Sequence, residues 1–212
     1  MKKMIRSMTV VLAGLPLLSA CGGAELDTLE AQASGTPAAE ELAQTSDALI
    51  VTDTSYPLTA RGGSGGTSVT LACARGFVAV GIHGRSGWYI DQLGLVCRYL
   101  NYDGTLGAEQ STQALGGTGG SDFKMVCPEG MAITGFYGTG GSYVDQLGFN
   151  CSSPTLWNQS SEVQYWSGKA GSNVGSSSFT DMCPSRYLAT SMNIRYGWHV
   201  DQFQGVCSYI AP

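Results

Sequence analysis

Cys73-Ala-Arg-Gly-Phe-Val-Ala-Val-Gly81, continued by Gly87-Trp-Tyr-Ile-Asp91-Gln-Leu-Gly-Leu-Val-Cys97, is one copy of a text that this chain writes three times. The second copy opens at Cys127-Pro-Glu-Gly130 and closes with Gly141-Ser-Tyr-Val-Asp145-Gln-Leu-Gly-Phe-Asn-Cys151. The third opens at Cys183-Pro-Ser and closes with Gly197-Trp-His-Val-Asp201-Gln-Phe-Gln-Gly-Val-Cys207. In each, the two cysteines stand 24 positions apart and the aspartate follows the first cysteine by 18. The unit recurs every 54 to 56 residues, so the fold is three copies of one supersecondary element that must bury a shared core.

Each unit opens with a glycine loop: Gly62-Gly-Ser-Gly-Gly66, Gly116-Gly-Thr-Gly-Gly120, and the degenerate Gly168-Lys-Ala-Gly-Ser-Asn-Val-Gly175. A short strand then runs to the first cysteine, over 68–73, 123–127 and 179–183. A second strand follows over 77–83, 131–137 and 187–194. A tight turn leads to a third strand that carries the aspartate and the second cysteine. No amphipathic helical period survives the glycines, and alternating apolar segments between turn residues read as all-β. A fourth strand precedes each next glycine loop, at 112–115 and 162–166. The last unit lacks one, and Leu58–Arg61 supplies it from the other end of the domain, covering a sheet edge. Three four-stranded antiparallel sheets about a pseudo-threefold axis make a β-prism with one core. The paired cysteines Cys73/Cys97, Cys127/Cys151 and Cys183/Cys207 then lie on nearby strands, one disulfide per repeat. Zinc is a poor alternative: the chain has no Cys-x-x-Cys and two histidines, His83 and His199. No acidic loop has calcium spacing, and neither a metal nor another cofactor is expected.

The first 20 residues read as an export signal: Lys2, Lys3 and Arg6, then an apolar run over 8–18, closing on Leu18-Ser19-Ala20-Cys21. That tetrapeptide resembles a bacterial lipobox, with Cys21 as the lipidated residue. The plainer reading is an ordinary signal peptide with an incidental cysteine. Residues 21–55 carry Glu25, Asp27, Glu30, Glu40, Glu41, Asp47 and Asp53 with no Lys or Arg, and read as a disordered acidic tether with a frayed helix over 38–43. Residues 56–212 form the prism, in repeats of about 58–110, 111–165 and 166–212. From residue 54 on, nine acidic residues face eight basic ones, so the net charge of −5 belongs mostly to the tether. No basic stripe points to nucleic acid. The expected location is a bacterial envelope, lipid-anchored at the outer membrane or cell surface.

A Gly-Gly-x-Gly-Gly loop with a later Gly-x-x-x-Asp turn resembles the jacalin-related lectins, and its threefold repetition is most similar to their griffithsin-type members. The resemblance covers residues 58–210. It implies glycans as partners, mannose- or glucose-type hexoses among them. It also implies carbohydrate-binding roles for Asp91, Asp145 and Asp201, for the aromatic positions Tyr89, Tyr143 and His199, and for Gly87, Gly141 and Gly197. Each aspartate is paired by the resemblance with the glycine loop that follows it: Gly117 with Asp91, Gly168 with Asp145, and Gly62 and Gly63 with Asp201. A carboxylate accepts two hydroxyls at charge-assisted strength, and glycine lets backbone approach a ligand. The cysteines depart from that pattern and resemble instead the vitelline membrane outer layer protein family, also a threefold β-prism.

The plain alternative is that the glycines serve as turns and each aspartate fixes its own turn. The protein is then a structural or protein-interaction component without a sugar site. Trp88 and Trp198 read equally as end packing or as a stacking rim. Catalysis is not expected: the chain has no Gly-x-Ser-x-Gly elbow and no His-Glu-x-x-His, and one aspartate per unit does not supply a glycosidase pair.

Overall fold

The three long hairpins that the repeated text encodes are the frame of the molecule. In the computed structural model, which describes residues 48–173 and 177–212, they are β4 (Phe77–Ser86) with β5 (Ile90–Leu100), β9 (Ala132–Gly140) with β10 (Val144–Ser152), and β14 (Tyr187–Tyr196) with β15 (Val200–Ala211). Each is antiparallel and each is the centre of one sheet. The signal segment, Cys21 and the tether up to residue 47 lie outside the described residues.

The flanking strands come from unexpected places. β8 (Ser121–Val126), the opening strand of the second repeat, pairs with β4 of the first. In the same way β13 (Ser177–Met182) pairs with β9, and β3 (Thr67–Ala72) pairs with β14. Every repeat therefore donates its glycine loop and first strand to the preceding repeat's sheet. The fourth position of each sheet is a broken strand: β6 (Leu106–Ser111) and β7 (Leu115–Gly116) on β5, β11 (Tyr165–Trp166) and β12 (Ala170–Gly171) on β10, β1 (Ile50–Pro57) and β2 (Arg61–Gly62) on β15. Of the expected fourth strands, 112–115 holds the break and only Leu115 of it is in strand, while 162–166 keeps Tyr165–Trp166. At the first of them, Thr112 bridges the break by accepting the Leu95 N–H on its hydroxyl. The closing strand also starts earlier than Leu58: β1 begins at Ile50, inside the stretch read as tether. Ile50 and Val51 match Ala211 and Ile210 in register, so this segment completes the sheet that the C-terminal strand would leave open.

With sheet A built from β1, β2, β3, β14 and β15, sheet B from β4 to β8, and sheet C from β9 to β13, the disulfides take on a second role. All three expected bridges form, with Cα–Cα distances of 5.7, 5.9 and 5.8 Å. Cys73 follows β3 of sheet A and bonds Cys97 of sheet B. Cys127 follows sheet B and bonds Cys151 of sheet C, and Cys183 follows sheet C and bonds Cys207 of sheet A. Each staple joins two sheets, and together they ring the prism. An ion pair braces one seam: Arg61 on β2 grips Asp181 on β13 through two bonds of 2.7 and 2.6 Å. That hydrogen-bonded carboxylate raises the guanidinium above its ordinary value against the opposing effect of burial.

The inward faces of the three hairpins interlock about the axis. Leu93, Leu147 and Phe203, each two residues after a repeat aspartate, are buried, as are Leu95, Phe149 and Phe136. Phe136 of sheet C meets Phe203 of sheet A edge-on at 4.8 Å, an arrangement favoured by the ring quadrupoles. One short helix, α1 (Pro154–Ser160), departs from the all-β reading. Ser153 caps it by accepting the Leu156 N–H, Pro154 starts it, and buried Trp157 donates its indole N–H to the Tyr187 carbonyl at 2.7 Å.

Candidate carbohydrate-binding end

Each long hairpin turns through three residues, and the turns are superimposable in their bonding. The Gly87 N–H donates to the Tyr89 carbonyl, Gly141 to Tyr143, and Gly197 to His199, at 3.0, 2.9 and 2.9 Å. Immediately after each turn the register slips. Arg85 faces Gln92 while Ser86 faces Ile90, which leaves Asp91 as the extra residue of a β-bulge. Asp145 and Asp201 occupy the same bulge on β10 and β15. A bulge re-aims a side chain, and here it releases the backbone carbonyl as well. The glycine loop takes that carbonyl: the Gly117 N–H donates to Asp91 O, and the Gly63 N–H to Asp201 O, both at 2.8 Å.

The loop then folds over the carboxylate. A methyl group on Gly119 would lie 2.8 Å from Asp91 Oδ1, and one on Gly120 2.6 Å from Oδ2. Gly65 and Gly66 hold the same places against Asp201, at 2.7 and 2.5 Å. Gly120 and Gly66 are also left-handed, with φ of +61° and +67°, so two separate requirements select glycine there. The expected glycines Gly117, Gly62 and Gly63 are therefore present at their aspartates, but they anchor backbone, while the pair further along the loop flanks the carboxylate. Gly168 is not the counterpart. The register matches Gln146 with Gly171, as it matches Gln92 with Gly116 and Gln202 with Gly62, so the third loop is framed from Gly171. Six positions separate Gly171 from Ser177, against five in the other loops, so this loop is one residue longer.

All three aspartates are buried, Asp91 with 4% of its surface exposed. Asp91 Oδ2 and Asp145 Oδ2 have no hydrogen-bond partner among the described residues. The Asp91 carboxylate borders a cavity of about 420 Å³ lined by Gly87, Trp88, Tyr89, Gly119, Gly120 and His199. Trp88 and Trp198 project from their turns, 73% and 85% exposed, which places them on the rim and not in end packing. The second turn has Ser142 there instead.

Tyr89 lines the Asp91 cavity, as one ring per aspartate implies, but the three aromatic positions are not separate from one another. Tyr89, Tyr143 and His199 converge into one three-ring cluster, with centroids 5.2 Å apart for the tyrosines and 5.0 and 5.3 Å from His199 to Tyr89 and Tyr143. The turns lean across the axis, so each ring meets its two counterparts. His199 goes further and sets Nδ1 2.7 Å from Asp91 Oδ1, in the neighbouring sheet.

Two residues at this end were not anticipated. Arg85 donates to the carbonyls of Gly119 and Gly120 at 2.9 and 2.6 Å, and Arg195 donates to those of Gly65 and Gly66 at 2.7 and 2.9 Å. By holding those carbonyls outward they fix the loop over the aspartate. The signal was in the repeat frame: Arg85 and Arg195 both lie 12 positions after their opening cysteine, where the second repeat has Thr139.

These features define a β-prism whose bulged aspartates and glycine loops gather at one end, the fold of the jacalin-related lectins. Several solved structures similar to this chain carry it. A mannose-binding jacalin-related lectin from Ananas comosus is 20% identical, with a TM-score of 0.53 over 72% of this chain and 96% of that one. The Malaysian banana lectin is 18% identical at a TM-score of 0.53, over 72% and 97%. The mannose-binding lectin of champedak is 14% identical at 0.54, over 75% and 98%. No family model matches the chain, and no curated protein matches it.

Proposed function

We propose that this protein binds carbohydrate, with the hexose edge seated on the bulged aspartates and its apolar face against the rim tryptophans. The observation that carries the reading is Asp91: a buried carboxylate whose Oδ2 has no partner, on a residue that borders a cavity large enough for a hexose. A carboxylate that merely fixed its own turn would use both oxygens on backbone N–H groups, because a buried acceptor without a partner costs about 1–3 kcal/mol. A hexose hydroxyl supplies the missing donor at charge-assisted strength. The exposed Trp88 offers the flat apolar surface that a pyranose C–H face needs. The fold shared with mannose-binding lectins supports a mannose- or glucose-type ligand. The lining of the Asp91 cavity holds one carboxylate, which suits binding and not glycoside hydrolysis.

The test is calorimetric titration of the oxidised protein with mannose and glucose oligomers in the presence of a chelator. Saturable, metal-independent binding that weakens in Asp91→Asn supports the reading; absence of binding to any glycan on an array overturns it.

We further propose that Cys21 is lipidated and holds the protein at a bacterial envelope, on the sequence alone. Mass spectrometry of the membrane fraction should find a diacylglycerol adduct on Cys21. An unmodified or absent Cys21 in the mature chain would overturn the anchor.

A further inference from the structure

Asp91 differs from its two counterparts in the group that reaches it. The hairpin position that is Tyr89 in the first repeat and Tyr143 in the second is His199 in the third, and its Nδ1 lies 2.7 Å from Asp91 Oδ1. Both residues line the same cavity. Asp91 is 4% exposed and its Oδ2 is buried without a partner. One carboxylate oxygen is thus held by a ring from another repeat, and the other lies buried beside the cavity without a partner.

We propose that His199 is a specificity-determining residue of the Asp91 site, sharing the carboxylate with the bound hexose and making this site, unlike the other two, weaken on mild acidification. The proposal rests on the hexose-binding reading above. A neutral imidazole that donates Nδ1–H leaves the carboxylate's charge available to sugar hydroxyls. A protonated imidazole at the same distance compensates that charge, and hydrogen bonds to an uncompensated carboxylate are roughly twice as strong as neutral ones. The other two positions hold phenols and carry no imidazole.

The groups facing His199 are Asp91 from sheet B and the phenols of Tyr89 and Tyr143. Behind the glycine loop, Arg85 and Asp122 are paired with each other at 2.5 Å. In its own hairpin Asp201 sits under Gly65 and Gly66, whose carbonyls Arg195 holds, and Asp145 stands on the equivalent bulge of sheet C. The other histidine, His83, contacts the Thr112 carbonyl at 3.0 Å on β4 and is present in every variant below.

The experiment is NMR titration of the full chain with methyl α-D-mannoside and methyl α-D-glucoside at about pH 7.5 and about pH 5.5. The Trp88 indole N–H reports the Asp91 site and the Trp198 indole N–H the Asp201 site. Wild-type affinity at Trp88 should fall by about threefold or more on acidification while that at Trp198 changes by less than about half as much. His199→Asn keeps a donor at the Nδ1 position without an imidazole; its affinity at Trp88 should be the same within about twofold at the two pH values. His199→Tyr, which restores the residue of the other repeats, should also be flat. Parallel pH profiles in wild type and His199→Asn would overturn the proposal, as would an equal fall at both tryptophans. No response to either glycoside at any pH would overturn the hexose reading, and the proposal with it.

Discussion

At the residue scale the decisive geometry is the bulge that turns Asp91 toward its glycine loop. The side chain is buried, one oxygen has no partner, and the loop can lie over it only without side chains of its own. Asp91→Asn keeps shape and removes charge. Sugar affinity at that site should drop at least about tenfold, since a hydrogen bond to a charged group is worth about 1.5–3 kcal/mol. The thermal midpoint should hold or rise, because a buried charge has been removed. Calorimetry and a thermal melt check both halves. Gly120→Ala makes a contrasting case. Its φ of +61° disfavours a side chain, and the added methyl meets Asp91 Oδ2 and the Ser86 backbone. Stability should fall by about 1–3 kcal/mol and binding at Trp88 should vanish, read by denaturant unfolding and NMR. The aspartates and the anchoring glycines were legible from their recurrence. The flanking pair Gly119 and Gly120 was visible only as part of a loop, because which glycine lies over a carboxylate depends on how the loop curls.

At the element scale the surprises are boundaries. The opening strand of each repeat belongs to the preceding sheet, and the cysteine at its end is the point where the chain passes from one sheet to the next. The disulfide therefore closes a loop of 24 residues and also pins a seam. Removing one bridge by Cys73→Ser with Cys97→Ser should cost about 3 kcal/mol on the loop-entropy account, and denaturant unfolding measures it. The other two bridges close loops of the same length and should cost about the same. The arginine clamps are a second element-scale device. Arg195→Ala frees the carbonyls of Gly65 and Gly66, and sugar affinity at Trp198 should fall several-fold while Trp88 keeps its response. Strand cores were readable from alternation and turn residues. The breaks in the outer strands were not, since an edge strand needs few apolar residues and leaves little pattern.

At the scale of the whole molecule, closure is the organising event. β1 brings the N-terminal part of the domain onto the C-terminal strand, so sheet A is assembled from both ends of the domain. A chain that begins at Leu58 leaves β15 as an exposed edge. It should melt well below the longer chain and self-associate, which light scattering and a thermal melt would detect. Three bulged aspartates at one end also favour clustered ligands. Binding to densely mannosylated surfaces should exceed binding to free methyl mannoside by two or more orders of magnitude if at least two sites engage together; surface plasmon resonance at graded glycan densities is the measurement.

Repeat number, cysteine pairing and the register of Asp91, Asp145 and Asp201 were all readable along the chain, because each is a spacing and a repeat preserves spacing. The strand exchange between repeats, the single cluster of Tyr89, Tyr143 and His199, and the reach of His199 to Asp91 were not. They arise where three hairpins meet on an axis. The distance between residue 91 and residue 199 is set there by sheet packing, and no interval of the sequence encodes it.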